Sequence, residues 1–295
     1  MSTIWVLGAR GQVGSHLMRL LGNRARGFDS GELDFLSPDF AEIFEALIAA
    51  KPPKLIINMA AYTDVQAAEI HTEQAVRINA RAVAIMCSAL APRKIPLIHG
   101  STDYVFSGHS EAAYVESAAA SPLNAYGKSK LAGEQAVQCY AHGYIMRFSW
   151  VFDGVHKNFV TTMRSLMLSK DHLRVVADQI GAPSYAGHIA NALLQFSEQV
   201  LSALPPESGV YHACAAGHTS WHGFACAIRD ALRAHGQEVI TQNIFPITSE
   251  EYGGTCQRPL QSRLNTEKLA ALGVTMPHWR EGLAQAMAEM VAQKS

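Results

Sequence analysis

Cysteine, charge and long apolar runs are all in short supply in this 295-residue chain. The five cysteines, at 87, 139, 214, 226 and 256, form no Cys-x-x-Cys pair. Their odd, scattered count argues against a disulfide framework and leaves buried free thiols as the plain reading. Thirteen histidines are present. None stands in a His-Glu-x-x-His arrangement or pairs with cysteines at zinc-ligand spacing, so no catalytic metal is expected. Charged residues make up only 17%, and the formal net charge is −1. The broad attraction used by nucleic-acid binders and membrane-surface proteins is therefore missing, and neither partner is expected. No stretch approaches the roughly 20 apolar residues of a membrane span. Met1–Leu7 enters a short apolar run without the basic start of a secretory leader, so a cytoplasmic location is expected.

What the chain does have is apolar material, at 48%, and enough length to bury it. Single cores stop growing near about 250–300 residues, so one large domain or two unequal ones fit. Short apolar runs alternate with amphipathic stretches, the pattern of βα units on a parallel sheet. Ile4–Leu7 reads as a strand, and Gln12–Gly22 carries Val13, Leu17, Leu20 and Leu21 at helical spacing. Pro38 opens a second helix with Phe40, Ile43, Phe44, Leu47 and Ile48 on one face. Leu55–Asn58 is a buried strand, Thr72–Leu90 a long helix and Pro96–His99 a further strand. A helix follows over Asn124–Tyr140, then a strand over Tyr144–Phe148.

Six strand signals in the first half predict a Rossmann-type, doubly wound α/β sheet. The second half, punctuated by Gly154, Gly181, Pro183, Pro205, Pro206, Gly253 and Gly254, is more irregular. Residues 1–152 are accordingly read as a dinucleotide-binding domain. Residues 153–295 are read as a smaller α/β substrate-binding region, with some elements returning to the first sheet.

Gly8, Gly11 and Gly14 follow the first strand and open the first helix. A pyrophosphate-binding turn needs missing side chains there, so that backbone N–H groups and the helix N-terminus can approach the phosphates. Asp29 falls at the end of the second strand, where an acid hydrogen-bonds the adenosine ribose of NAD. Arg10, inside the glycine turn, is instead suited to the 2′-phosphate of NADPH. Both cofactors stay open on this evidence.

Tyr126-Gly-Lys-Ser-Lys130 lies on a predicted helix, where residues four apart share a face. A lysine so placed can reach the cofactor ribose and hold positive charge beside the phenol, which would lower the tyrosine pKa toward the working range. Ser101-Thr102-Asp103-Tyr104 follows an apolar run and sets hydroxyls at a strand's C-terminal end, where open α/β sheets bind ligands. Thr102 can there join Tyr126 on a substrate carbonyl oxygen.

These motifs recur together with Met59–Thr63, Ser101–Phe106, Pro122–Glu134, Arg147–Val151, Asp178–Pro183, Gly209–His212, Ser220–Trp221 and Arg258–Lys268. In that combination the chain resembles the dTDP-4-dehydrorhamnose reductases, extended short-chain reductases, over nearly its whole length. The resemblance implies NADPH-dependent reduction, with NADH possible, of the C4 ketone of dTDP-4-dehydro-β-L-rhamnose to dTDP-L-rhamnose for surface polysaccharide. It implies Thr102, Tyr126 and Lys130 as the catalytic set. Gly8, Gly11, Gln12, Val13, Gly14, Asp29, Asp34, Phe35, Ala60, Ala61 and Tyr62 are placed with Tyr126 and Lys130 around the cofactor. Thr102, Asp103, Trp150 and Arg258 fall on the dTDP-sugar, Trp150 as a flat wall for the pyranose, and Arg263 is a second candidate for the diphosphate.

Two departures stand out. Gln66 replaces an acid of the family pattern in the substrate-side loop, which bears on sugar selectivity. His16 and Gly187 stand where some members bridge a dimer through magnesium-binding glutamates. The loss of those carboxylates argues against such a dimer and for a monomer or weak homodimer. Another nucleotide-sugar reductase or epimerase, or a regulatory subunit that binds NADP without catalysis, fits the same motifs less closely.

Overall fold

In the computed structural model, which describes residues 3–292, Ile4–Leu7 forms β1 with all four side chains buried, as a strand covered on both faces requires. The chain continues through α1 (Gln12–Leu21), β2 (Ala25–Phe28), α2 (Phe40–Ala50) and β3 (Leu55–Asn58). Two short helices, α3 (Val65–Ile70) and α4 (Thr72–Val76), lead through a π-helical turn at Arg77–Arg81 into α5 (Ala82–Leu90). Then come β4 (Leu97–Thr102), α6 (Ala125–Gln138) and β5 (Gly143–Phe148). These five strands pair in parallel in the order β2-β1-β3-β4-β5. The order reverses between β1 and β3, and a crevice for a ligand opens there beyond the strand C-termini.

The sixth strand of this sheet comes from the second half. After β6 (Val151–Phe152), α7 (Phe159–Met167), β7 (His172–Val176), β8 (Ile180–Gly181), β9 (Ser184–Tyr185) and α8 (Ala186–Val200), the chain returns as β10 (Gly209–His212) and pairs in parallel with β5. The first half therefore supplies five sheet strands rather than six. The remainder comprises β11 (Thr219–Ser220), α9 (Trp221–Ala234), β12 (Asn243–Ile247), α10 (Ser249–Tyr252), α11 (Glu267–Ala270) and α12 (Trp279–Ala292).

Apolar side chains fill both faces of the sheet. One cluster joins β1, β3 and β5 to α1 and α8, and the other joins them to α2, α5 and α6. A third core, around Phe152, Met163, Phe224, Trp279 and Leu283, holds α7, α9 and α12 together. Leu20 and Ile43, expected on buried faces, are exposed, because α1 and α2 each bury a narrower stripe than their apolar content would allow. Helix α2 starts at Phe40 behind Asp39, so Pro38 precedes the helix instead of opening it. The expected 72–90 helix is interrupted by the π turn, and β4 runs three residues beyond the expected strand, to Thr102. Cys139 is exposed and Cys226 half-buried, so only Cys87, Cys214 and Cys256 are buried thiols. Among the described residues, no helix is long and apolar enough to cross a membrane.

Candidate active site

A cavity of about 720 Å³ opens at the C-terminal ends of β1, β3, β4 and β5. Its floor at one end is the glycine turn. Gly8 has φ +76°, and a Cβ there would lie 2.6 Å from the Ala60 nitrogen, so the turn closes on the β3 exit only if residue 8 has no side chain. Gly14 serves the same turn from within α1, where a Cβ would meet the Gly8 carbonyl oxygen at 2.1 Å. Its part is therefore packing, and it does not line the cavity. Gly11, Gln12, Val13, Asp29, Ala60 and Ala61 do line it. A smaller adjoining cavity of about 140 Å³ is bordered by Asp34, Phe35, Asp29 and Ala61.

Arg10 and Asp29, the two alternative ribose-side residues, face each other at 2.6 Å. Arg10 is almost fully exposed, and a pair of that kind is worth about 0–1 kcal/mol. It can therefore open for a ligand at little cost. A loop after β6 clasps the glycine turn from the other side. His156 bonds the Arg10 carbonyl oxygen at 2.9 Å, and the Asn158 side-chain amide donates to the Gln12 side-chain oxygen at 3.0 Å. The stripped backbone turn, the opening N-terminus of α1 and the two adjoining cavities fit a dinucleotide.

The other end is built from side chains. Asn124 caps α6 by accepting from Gly127 N–H at 2.8 Å. The helix then packs so closely on the turn after β4 that a Cβ on Gly127 would sit 2.3 Å from the Tyr104 carbonyl oxygen. This close seat turns Tyr126 toward the cavity beside Thr102, with Lys130 one helical turn further in and only 2% exposed. Thr102 Oγ1 accepts from Tyr104 N–H and donates to Asp103 Oδ1, both at 3.1 Å. Asp103 Oδ2 in turn accepts from Ser149 at 3.1 Å. Burial pushes the Asp103 carboxyl up to about 6, against the opposing pull of hydrogen bonds from Ser262, Ser149 and Thr102. The Asp103 carboxylate borders the cavity, one oxygen held by Thr102 and the other by Ser149.

The electrostatics of the pair differ from the sequence expectation. Burial pushes the Tyr126 phenol up to about 12, the facing Thr102 hydroxyl pulling the other way, so the predicted lowering by Lys130 is absent. Lys130 Nζ donates to the Gly100 carbonyl oxygen at 2.7 Å and lies 3.3 Å from His99 Nε2. Burial lowers Lys130 itself to about 8, against the raising influence of Glu134. Beneath the site, Glu134 is gripped by Arg147 through bonds of 2.6 and 2.8 Å and accepts from Ser101 at 2.5 Å. Removing one partner of such a buried pair costs about 3–5 kcal/mol, which makes this network a fixed support for β4 and α6.

Trp150 forms the far wall, at φ +46° and 9% exposed. Its ring stacks on Trp221 with centroids 3.5 Å apart and planes 3° from parallel. Trp221 and Phe159 also line the cavity, and neither was found from sequence. Tyr62 does not line it, its backbone being held on both sides by the Asn79 amide from the π turn, at 2.9 and 3.1 Å. Arg258 stands behind the cavity edge, near Tyr104. Burial and the Asp103 carboxylate push the Tyr104 phenol up, and the Arg258 charge opposes them. Arg263 is turned away, donating to the Glu111 carbonyl oxygen. Gln66 donates to Thr255 at 2.5 Å, and His16 meets Glu289 at 3.3 Å.

A parallel sheet with a glycine turn at its first strand, and a tyrosine and lysine one helical turn apart beside its fourth, has the architecture of the extended short-chain dehydrogenase/reductase class. The family model described as RmlD substrate binding domain matches residues 1–292. The dTDP-4-dehydrorhamnose reductase of Aggregatibacter actinomycetemcomitans is 36% identical over 289 residues, covering 96% of this chain and 97% of that protein. The Salmonella typhimurium protein of the same name is 37% identical over 297 residues, covering 97% of each. The crystal structure of the Bacillus anthracis dTDP-4-dehydrorhamnose reductase in complex with NADP superposes with a TM-score of 0.88 at 32% identity, covering 98% of this chain and all of that one. The chain belongs to the dTDP-4-dehydrorhamnose reductase family.

Proposed function

We propose that the protein reduces the C4 ketone of dTDP-4-dehydro-β-L-rhamnose to the alcohol of dTDP-L-rhamnose, using NADPH, or NADH in its place, in the supply of sugar for surface polysaccharide. The observation that carries this reading is the convergence of Thr102, Tyr126 and Lys130 on the cavity that also holds the stripped glycine turn, in a chain matching named reductases along almost its full length. The nicotinamide, when bound, supplies the hydride for the ketone carbon. Tyr126 gives its phenolic proton to the oxygen of that carbon. Thr102 turns its proton from Asp103 to the same oxygen and stabilises the charge that develops there. Lys130 is the source from which the site regains the proton lost.

Gly8, Gly11, Gln12, Val13, Asp29, Asp34, Phe35, Ala60 and Ala61 would hold the cofactor. A 2′-phosphate can draw Arg10 away from Asp29, whereas a free ribose hydroxyl can bond to Asp29 itself, so the weak pair tolerates either cofactor. The stacked pair Trp150 and Trp221 is the apolar wall we assign to the pyranose. Arg258, whose charge reaches the cavity-lining Tyr104, is the guanidinium we assign to the diphosphate. Residues 1–152 then carry the dinucleotide and the Tyr/Lys pair, and residues 153–295 supply most of the sugar-nucleotide side. The same reading makes the protein a cytoplasmic monomer or weak homodimer.

The test is NADPH and NADH oxidation, followed by absorbance, with dTDP-4-dehydrorhamnose generated in situ and the product identified by mass spectrometry. One nicotinamide consumed per dTDP-rhamnose formed is the expected result. Cofactor binding without oxidation would overturn the assignment. Oxidation with a different nucleotide sugar alone would overturn the substrate and leave the class.

A further inference from the structure

Two polar side chains stand in the middle of the sheet with no exposure at all: Asn58 at the end of β3 and His99 in β4. Buried polar groups of this kind persist only when their hydrogen bonds are met. The Asn58 Oδ1 accepts from the Ala60 backbone N–H at 3.1 Å, and because a backbone N–H can only donate, the oxygen must be on that side of the amide. The amide nitrogen Nδ2 therefore faces His99 Nδ1, at 3.1 Å, and donates to it. Burial, reinforced by the adjacent lysine, holds His99 well below the usual histidine range, so the ring is neutral and carries one proton. With Nδ1 accepting, that proton sits on Nε2, which points at Lys130 Nζ 3.3 Å away.

We propose that Asn58 and His99 form a relay that fixes His99 as the Nε2–H tautomer and makes Lys130 Nζ the acceptor of that N–H, so that His99 is a positioning residue for the lysine's loss of its proton. An ammonium has three N–H donors and no lone pair, so it cannot satisfy an N–H facing it. An amine can, and it still donates to Gly100. When Lys130 gives up a proton toward the phenolate left on Tyr126, Nζ keeps the electron pair and His99 Nε2–H bonds to it. The lysine is thereby a stronger acid than an ordinary one and can recharge the site near neutral pH. The other groups facing this relay are few. Tyr126 and Glu134 lie on α6 with the lysine, Glu134 being held by Arg147 from β5, and Asp103 follows β4. From β3 and the π turn the neighbours are the neutral amides Asn58 and Asn79. The use made of the proton rests on the reductase reading above. The tautomer does not.

Two nuclear magnetic resonance measurements on the whole protein test the relay without turnover. Long-range ¹H–¹⁵N correlation of ¹⁵N-histidine protein should show one histidine, lost in His99→Gln, locked as the Nε2–H tautomer across the neutral range. The ¹³Cε titration of labelled lysine should show one resonance, lost in Lys130→Arg, with a midpoint near 8, against about 10.4 for an ordinary lysine. Asn58→Asp replaces the donor to Nδ1 by an acceptor, which reverses the tautomer and turns Nε2 into an acceptor for the ammonium. The lysine midpoint should then rise by at least about one pH unit. His99→Gln, which can also accept from the ammonium, should move it the same way. An Nδ1–H tautomer, an imidazolium, or a lysine midpoint unmoved in both variants would overturn the relay. A locked tautomer and a shifted lysine in a protein that oxidises no NADPH with the sugar would leave the relay standing and remove the reductase reading instead.

Discussion

The two ends of the cavity are built from different materials. At the cofactor end backbone lines much of the cavity, at Gly8, Gly11, Ala60 and Ala61, and the facing charged side chains, Arg10 and Asp29, form a weak pair. At the reaction end nearly every contact is a side chain, and each is held by another. Asp103, itself held by Ser149, holds Thr102; Gly100 and His99 hold Lys130; and Arg147 holds Glu134. The difference follows from the tasks. A pyrophosphate is large, charged and met by several N–H groups at once, so the site needs room more than precision. A proton transfer depends on the position and pKa of single atoms, and those are set by buried neighbours.

If that division is right, substitutions should separate binding from turnover. Tyr126→Phe keeps the ring and removes the proton, so turnover should fall by about a thousandfold or more while the fluorescence-measured Kd for NADPH stays within about threefold. Equal losses of both would erase the division. Thr102→Val should cost on the order of a hundredfold in kcat through the lost donor. That loss should depend on pH. The Asp103 carboxyl, raised to about 6, is protonated below that value and can itself donate to Thr102, freeing the threonine's proton; above it the carboxylate claims that proton. The ratio of wild-type to Thr102→Val kcat is therefore expected to be larger at pH 5.5 than at pH 7.5, and a flat ratio would detach Asp103 from Thr102. Gly8→Ala is the complementary change. A side chain at φ +76° costs about 1–2 kcal/mol, and its Cβ would press on Ala60. The Kd for NADPH should rise about tenfold, with kcat at saturating cofactor nearly unchanged.

The backbone end was the easier one to read from sequence. Missing side chains leave a spacing, and Gly8, Gly11 and Gly14 gave the turn and its place at the first βα junction, though not that Gly14 serves packing. Apolar runs gave β1, β3 and β5 nearly to the residue. At the reaction end the Tyr126/Lys130 spacing marked the helix, but it says nothing about which way a long lysine side chain turns. That is decided by His99 and the Gly100 carbonyl, and the expected lowering of the tyrosine pKa is absent because burial pushes the phenol up. His99 and Asn58 did carry a signal: each is a lone polar residue in an otherwise apolar buried run, Leu-Ile-Ile-Asn and Leu-Ile-His-Gly, and must find a partner. Phe159 carried none, and Gly209–His212 and Ser220–Trp221, though among the segments that carry the resemblance, gave no sign of a place in the sheet or the cavity wall. Their positions depend on how the irregular second half folds back, as do the turned-away Arg263 and the withdrawn Arg258.

Asn124 has a second bond beyond its helix cap: its amide nitrogen donates to the Gln257 carbonyl oxygen, across 133 residues of sequence. The turn that carries Tyr126 is thus fastened in part by a segment far along the sequence. The β5 edge of the sheet is likewise covered by β10, from the second half. The reacting end is in this sense held shut by contacts between distant parts of the sequence, and its formation carries the loop-closure cost of non-local contacts.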